Sequence, residues 1–162
     1  MTAPAELRSV KPPWVHLVVL DPGKSPESAL AVPPEFAVRT IDGRRGATKR
    51  GLLGEFARVL GFPKDSGRNW DALEEMLADL EWLPAKGYLL ILTNADELLA
   101  RDPEDYETFI DVVTDVGKEW ATVPRGASAR RPVPFHVCLV VPRERMDARA
   151  DWRAPRLALR PA

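Results

Sequence analysis

The stretch GYLLILT, residues 87–93, decides the fold of this chain. It is a continuous apolar run bounded by turn signals, and it is far shorter than the roughly 20 apolar residues that a membrane helix needs. A strand without polar alternation is buried on both faces, which is typical of a parallel sheet covered by helices. A second run of this kind, FHVCLVV, occupies residues 135–141. The two runs predict strands of a small parallel sheet.

The segments before and between these runs complete an α/β pattern. Residues 36–41, FAVRTI, alternate in polarity and predict a strand. Apolar residues then recur at helical spacing from Thr48 to the stop signal Gly61, and a second helix begins at the N-cap residue Asn69. A short helix and a long one, with Asp102 at its cap, separate the last two strands. The order predicts a three-stranded parallel sheet packed with about four helices.

The two ends of the chain lie outside this pattern. Residues 1–34 hold seven of the 16 prolines and one short apolar run, WVHLVVL, which we expect to add an N-terminal edge strand. The stretch DPGKSPESALAVPP, residues 21–34, is predicted to be loop. The end of the chain is rich in arginine, and its candidate anchors are Trp152, Leu157 and Leu159. We therefore divide the chain into an N-terminal extension (1–34), a domain (35–142) and a basic C-terminal tail (143–162).

The composition is that of an ordinary globular protein of 162 residues, 45% hydrophobic and 29% charged. The single cysteine, Cys138, excludes an internal disulfide framework and lies in an apolar run. Neither a signal peptide nor a membrane segment is predicted, so a cytoplasmic location is expected. Both histidines, His16 and His136, also lie in apolar runs, where a structural role is expected. The sequence has no metal-ligand cluster of Cys and His and no phosphate-binding loop, so we predict no catalytic site, cofactor or metal.

The charge is distributed unevenly along the chain. The net charge is −1, but residues 1–62 carry +3, residues 63–119 carry −10 and residues 120–162 carry +6. An acidic block repels nucleic acid and favours a basic partner. A solvated helical surface, balanced by the basic ends of the chain, is the alternative interpretation. A third hypothesis is that the protein is an enzyme whose chemistry uses the acidic cluster, with or without a divalent cation.

One helix of this block presents a row of acids. Asp71, Glu75 and Asp79 follow each other at intervals of four residues and share one face, with Glu74 beside them. Like charges at this spacing destabilise a helix by roughly 0.2–0.5 kcal/mol per pair. N-capping accounts for the asparagine at position 69, and a favourable interaction with the helix dipole accounts for the acid at Asp71. Neither effect accounts for the acids further along the row. A second row has the same spacing on the later helix and contains Asp111, Asp115 and Glu119.

The segment LGFPKDSGRNWDALEEMLADL, residues 60–80, resembles the signature of the barstar family, intracellular inhibitors of the secreted ribonuclease barnase. The resemblance extends over roughly residues 36–141 and is most specific in the G-x-N-x-D-A-L core. It implies a three-stranded parallel sheet with helices, and a loop and second helix that neutralise the basic groups of a ribonuclease active site. It also implies that Gly67 and Asn69 shape the loop and cap the helix. The implied acidic contacts are Asp71, Glu75, Asp115 and Glu119.

The chain departs from the best-known family member at the positions of three aromatic residues. Asp65 and Ser66 replace two tyrosines before the glycine, and Glu74 replaces a tryptophan beside the key acid, where Glu75 itself is one methylene longer than Asp. Trp70 is either a substitute anchor or a residue that packs against the core or the cap. The predicted partner-binding residues are Asp65, Gly67, Arg68, Asn69, Trp70, Asp71, Glu74, Glu75, Asp79, Asp115 and Glu119.

The resemblance makes an inhibitor or immunity protein the leading hypothesis. Its partner would be a basic ribonuclease or nuclease toxin, and the protein itself would be a monomer when free and not an enzyme. Direct contact with nucleic acid or with a membrane is not expected. The alternative is a non-inhibitory protein-interaction module on the same fold, again with a basic partner.

Overall fold

A central parallel sheet organises the computed structural model, which describes residues 3–122 and 131–159. Its four strands are β1 (Val15–Leu20), β2 (Ala37–Asp42), β3 (Tyr88–Thr93) and β4 (Phe135–Pro142). They lie in the order β1-β4-β3-β2. The three predicted strands and the expected N-terminal edge strand are confirmed. Leu17 of β1 pairs with Leu139 of β4, and Leu90 of β3 pairs with Val137 of β4.

Helices surround the sheet on both faces. None of the described helices is long and apolar enough to cross a membrane. Short 3-10 segments occur at Ala95–Glu97, Pro103–Asp105 and Arg143–Ala148. The α-helices are α1 (Ala5–Arg8), α2 (Pro26–Leu30), α3 (Lys49–Leu60), α4 (Trp70–Asp79) and α5 (Tyr106–Ala121).

Local capping fixes the ends of two long helices where the sequence predicts them. The Thr48 hydroxyl oxygen accepts a hydrogen bond from the Gly51 N–H at 3.0 Å, which caps α3. Gly61 ends that helix in the left-handed region, with a φ of 67°. The Asn69 side-chain oxygen accepts from the Ala72 N–H at 2.7 Å and caps α4.

Two local predictions were wrong. Asp102 does not cap its own helix, because its Oδ2 accepts a hydrogen bond from the backbone N–H of Lys49 at 2.7 Å. Pro103 therefore opens a 3-10 turn, and α5 begins at Tyr106. Residues 21–34 also contain α2 where a loop was expected, and the Ser25 hydroxyl caps this helix.

The alternation of side chains gives the sheet two buried faces. One face packs against α3, α4 and α5, and its core includes Phe56, Leu90 and Phe109. The other face carries the remaining apolar side chains of β1, β3 and β4, and it is covered by Leu7, Leu30 and Leu157 from the two ends of the chain. The extension and the tail thus supply the second layer that the doubly apolar strands require.

The C-terminal tail crosses the free edge of β1. The Leu17 N–H donates to the Pro155 carbonyl at 2.9 Å, and the Leu157 N–H donates to the Leu17 carbonyl at 2.8 Å. Of the three candidate anchors, Trp152 is 7% exposed and Leu157 is 4% exposed, whereas Leu159 is partly buried. The crossing occupies hydrogen-bonding groups that an edge strand would otherwise leave open to association.

A buried histidine pair joins the extension to the sheet. His136 Nε2 lies 2.7 Å from the Ser9 carbonyl oxygen, which can only accept, so Nε2 carries the proton. His136 Nδ1 therefore accepts the hydrogen bond from His16 Nε2 at 2.9 Å. Burial, and then the neighbouring His136, lower the pKa of His16 to about 4, so both rings are neutral at pH 7. This agrees with the structural role expected from the sequence.

Candidate partner-binding surface

The loop before α4 is shaped by close backbone contacts. A Cβ atom on Gly67 would lie 3.2 Å from Asn69 Nδ2 and 3.3 Å from the Ala72 Cβ, so a side chain there would disturb the cap. Arg68 folds back on the loop, with its Nη1 donating to the Ser66 carbonyl and hydroxyl oxygens, each at 3.2 Å. Asp65 is exposed at the start of the loop. The loop therefore presents a charged surface on a fixed backbone.

Trp70 begins α4 and is half-buried. Its ring lies 6.1 Å from that of Phe109 in the core, and Lys49 Nζ lies 5.5 Å from its centroid on the surface. A cation over an indole face contributes about 0.5–1 kcal/mol at an exposed site. Packing against the core and the contact with Lys49 thus account for the position of this side chain.

Helices α4 and α5 pack beside each other, and the Trp120 Nε1–H donates to the Leu77 carbonyl at 2.8 Å between them. This packing brings the two acidic rows to one surface. A groove of about 330 Å³ runs along α4 and reaches α5. Its lining, which we call the acidic groove, consists of Asp71, Glu74, Glu75, Ala78, Asp79 and Glu119.

The carboxylates at this surface differ in exposure. Asp71, Glu75, Asp79 and Glu119 are exposed, and Glu74 is half-buried between the helices. Asp115 lies beside Glu74, whereas Asp111, the first acid of the second row, is exposed but does not line the groove. A partner side chain could therefore approach carboxylates of two helices at once.

Glu74 has an unusual protonation equilibrium. Partial burial raises its pKa above the ordinary value, and the charge of Asp115 and a hydrogen bond with that side chain raise it further. Glu119 and Asp71 act in the same direction. The proximity of Glu74 to Asp115 thus brings acids of α4 and α5 together at this surface.

The basic tail pairs with acidic residues outside the groove. Arg145 and Arg153 pair with Asp96 and Glu107 of the acidic block at 3.1 and 3.3 Å. Arg143 pairs at 2.7 Å with Asp21, which follows β1 and lies outside that block. Arg149 stacks over the Tyr106 ring, 3.8 Å from its centroid, and donates to the Leu98 carbonyl. The described tail is thus engaged at the start of α5 and the turn after β3. The balancing of charge expected from a solvated surface applies at these two places.

A separate acidic cluster lies before α5. Ligand atoms of Asp102, Glu104 and Asp105 lie within 4.8 Å of one another, close enough to surround a small cation. Asp102 already accepts the Lys49 N–H, which gives its carboxylate a structural role. The cluster belongs to the helix start and not to the acidic groove.

The contact between Glu74 and Asp115 does not follow from the spacing of acids along the chain. Helical spacing places each acid on its own helix, but it does not give the rotation of one helix relative to the other. The available signal is the apolar stripe of each helix, because the hydrogen bond from Trp120 to the Leu77 carbonyl lies where the two stripes meet.

Comparison with known families provides evidence that is independent of the geometry of the groove. The family model described as Barstar (barnase inhibitor) matches residues 36–140. The chain belongs to the barstar family. No curated protein matches the chain significantly. The barstar-family region begins just before β2 and ends within β4, so it contains both helices of the acidic groove. Barstar, by its description, inhibits an enzyme. Strand β1 and the tail lie outside the matched region.

Proposed function

We propose that this barstar-family protein inhibits a ribonuclease by covering its basic active site with the loop before α4 and the acidic groove. The observation that carries the proposal is the convergence of carboxylates from α4 and α5 on one groove within the family-matched region. The proposed contact set is the one predicted from the sequence. Asp71, Glu75, Asp115 and Glu119 would supply its acidic contacts.

The chemistry of the target explains the charge of the groove. A ribonuclease cleft must hold the phosphates of RNA, so it is lined by Lys, Arg and His side chains. Carboxylates on the groove can occupy the phosphate positions, and an arginine can bind a carboxylate through two parallel hydrogen bonds. The field of the acidic block would also accelerate encounter with a basic protein, in a manner that salt suppresses.

The groove is held rigid before any partner arrives. The Asn69 cap fixes the start of α4, and the hydrogen bond from Trp120 to Leu77 fixes its packing on α5. Groups that are already ordered lose less conformational entropy on binding, so more of the interaction free energy appears as affinity. Occlusion by a fixed surface requires no catalysis by the inhibitor.

The departures from the best-known family member bear on the choice of partner. Asp65, Ser66 and Glu74 stand at positions of aromatic residues that would normally anchor an interface. Binding would therefore depend more on ion pairs and on Trp70. We propose that the target is a nuclease toxin met inside the cytoplasm, where the inhibitor acts as a monomer and confers immunity.

The test is inhibition of RNA cleavage by barnase and by a panel of other basic microbial ribonucleases. Asp71→Ala and Glu75→Ala should each weaken inhibition by more than about 1 kcal/mol, because each leaves a partner cation unpaired. Glu144→Ala removes an exposed carboxylate outside the groove and should leave the inhibition constant unchanged. Thermal unfolding of each variant checks that the fold is retained. Absence of inhibition across the panel would overturn the proposal.

The absence of the aromatic anchors favours one alternative, a non-inhibitory interaction module. It would use the same groove for a basic protein that is not a nuclease. Affinity capture with the wild-type protein and with a Glu75→Lys variant distinguishes the two functions. A partner that is captured only by the wild type and has no nuclease activity would support the module.

A further inference from the structure

A crevice opens where three strands of the sheet end, apart from the acidic groove. It has a volume of about 350 Å³ and shares no lining residue with that groove. Its walls come from the loop that follows β1, from Thr93 and Asn94 at the end of β3, and from Val140 and Pro142 of β4. The crevice is therefore a second concave site, built from three separate parts of the chain.

The topology of the sheet accounts for the position of this crevice. The chain leaves β1 towards α2, which packs on one face of the sheet through Leu30, and it leaves β3 towards α5, which packs on the other face through Phe109. Strand β4 lies between these two strands. Connections that depart to opposite faces leave a crevice outside the carboxyl end of the strand between them, and open parallel sheets bind small ligands there. The loop after β1 precedes the family-matched region, so the crevice is not a feature of that region alone.

Polar contacts hold two walls of the crevice in place. Arg143 Nε donates to Asp21 Oδ1 at 2.7 Å, which ties the end of β4 to the loop after β1. Asn94 Nδ2 donates to Asp42 Oδ1 at 3.0 Å, and Asn94 Oδ1 accepts from Arg145 Nη2 at 3.1 Å. These side chains are already engaged, so a ligand would lose little free energy in ordering them.

The remaining lining groups offer two opposite charges above an apolar floor. Lys24 and Glu144 are exposed at the rim, and neither forms an ion pair within the residues that the structure describes. Val140 is 3% exposed, and Leu20 and Pro142, which also line the crevice, are half-buried. A ligand matches these groups when it carries one charge of each sign on an apolar body.

The charge of the lining argues against a phosphate or a nucleotide as the ligand. Two carboxylates, of Asp21 and Glu144, and the ammonium group of Lys24 line the crevice. Arg143 neutralises Asp21, so the four charges cancel. A ligand with two or more negative charges would meet an unpaired carboxylate as well as an unpaired ammonium group. A zwitterion finds a partner of opposite sign for each of its charges.

We propose that this crevice binds a free α-amino acid with an apolar side chain. Lys24 pairs with the carboxylate of the ligand, and Glu144 pairs with its ammonium group. Leu20 and Val140 contact its side chain. The volume of the crevice corresponds to about 12 water molecules at about 30 Å³ each, which is room for a molecule of the size of leucine. The site goes beyond ribonuclease inhibition and does not depend on it, so either proposal can fail without the other.

The first experiment titrates the ¹⁵N-labelled full chain with L-leucine while its amide resonances are followed by NMR. Leucine is raised to about 10 mM, tenfold above a dissociation constant of about 1 mM. We expect saturable shifts at the amides of Gly23, Lys24, Thr93 and Val140. Isocaproate lacks the ammonium group and isoamylamine lacks the carboxylate, so each should bind about two- to fivefold more weakly, because each loses one exposed ion pair.

Two outcomes of this titration would overturn the proposal. One is the absence of saturable shifts at these amides with leucine, methionine and phenylalanine alike. The other is binding of inorganic phosphate at the same amides with an affinity equal to that of leucine, since the lining would then not select a zwitterion.

The second experiment assigns the two charges with variants. Lys24→Gln should weaken leucine binding about two- to fivefold and leave isoamylamine binding unchanged, because that amine has no carboxylate to lose its partner. Glu144→Gln should weaken leucine binding to a similar extent and leave isocaproate binding unchanged. Lys86→Gln and Glu35→Gln are the matched controls, since both residues are exposed and precede β3 and β2 at the opposite end of the sheet. Unchanged leucine affinity in both crevice variants, or an equal loss in the controls, contradicts the site.

Discussion

At the scale of single residues, the absence of a side chain at Gly117 allows the N-terminal extension to contact α5. A Cβ on Gly117 would lie only 2.4 Å from Trp14 Cγ, so the glycine leaves the space that the indole fills. The Trp14 Nε1–H donates to the Val10 carbonyl at 2.9 Å, which holds the ring in that orientation. The contact joins a helix of the family-matched region to a segment outside it.

Substitution of Gly117 by Ala should therefore destabilise the protein, although alanine favours a helix. We expect a loss of about 1–3 kcal/mol in the free energy of unfolding, because the methyl group overlaps the indole. Gly54→Ala is the matched control within α3, since its Cβ would meet nothing within 4 Å, and it should stabilise by roughly 0.5–1 kcal/mol. Urea denaturation measures both. A gain in stability for Gly117→Ala would contradict the contact.

At the scale of elements, the histidine pair fixes β1 and the segment before it to β4. The chain of hydrogen bonds from His16 through His136 to Ser9 needs one neutral tautomer of each ring. His16 is 1% exposed and His136 is fully buried, so an added proton would be placed in a low-dielectric site. The attachment of this edge strand is consequently sensitive to acid.

The pKa of His16 sets the range of that sensitivity. In the unfolded chain the pKa is the ordinary 6.5, and in the folded protein it falls to about 4. The unfolded chain therefore binds more protons in this interval, and stability is lost as the pH falls from about 6.5 towards 4, by on the order of 3 kcal/mol. Unfolding by urea across this range should show the loss. His16→Gln keeps a donor for His136 without titrating and should flatten the profile; an unchanged slope would contradict this assignment.

At the scale of the whole molecule, the ends of the chain complete the fold that the family-matched region begins. Leu7 and Leu30 cover the second face of the sheet from the N-terminal side, and Leu157 covers it from the C-terminal side. The proposed division into an extension, a domain and a tail therefore describes sequence and family coverage, while the hydrophobic layers extend across all three segments.

This arrangement predicts that a tail residue contributes to global stability. Leu157→Ala should lower the free energy of unfolding by about 2–5 kcal/mol, because it opens a cavity beneath the tail. Leu159→Ala, two residues further along, removes a partly buried side chain and should cost clearly less. Thermal and urea unfolding measure both variants. Equal, small effects would show that the tail does not seal this face.

The candidate site shows the same division between local and tertiary information. The Asn69 cap and the row of acids on α4 follow from residue type and spacing, so they could be predicted. The pairing of Glu74 with Asp115 could not be predicted, because these residues are 41 positions apart in sequence. Their contact depends on how α4 and α5 are rotated relative to each other. Asp102 was misassigned for the same reason, since a backbone N–H 53 residues away binds its carboxylate.

The sequence by itself determined the parallel strands, the long helices, the N-cap at Asn69 and the likeness to the barstar family. These depend on interactions over a few residues, which periodicity and residue type record directly. Only the tertiary structure decided that both ends of the chain close the second face of the sheet, and that carboxyl groups of two helices meet at one groove. Such contacts depend on the packing of distant segments, and that packing minimises exposed apolar surface over the whole chain.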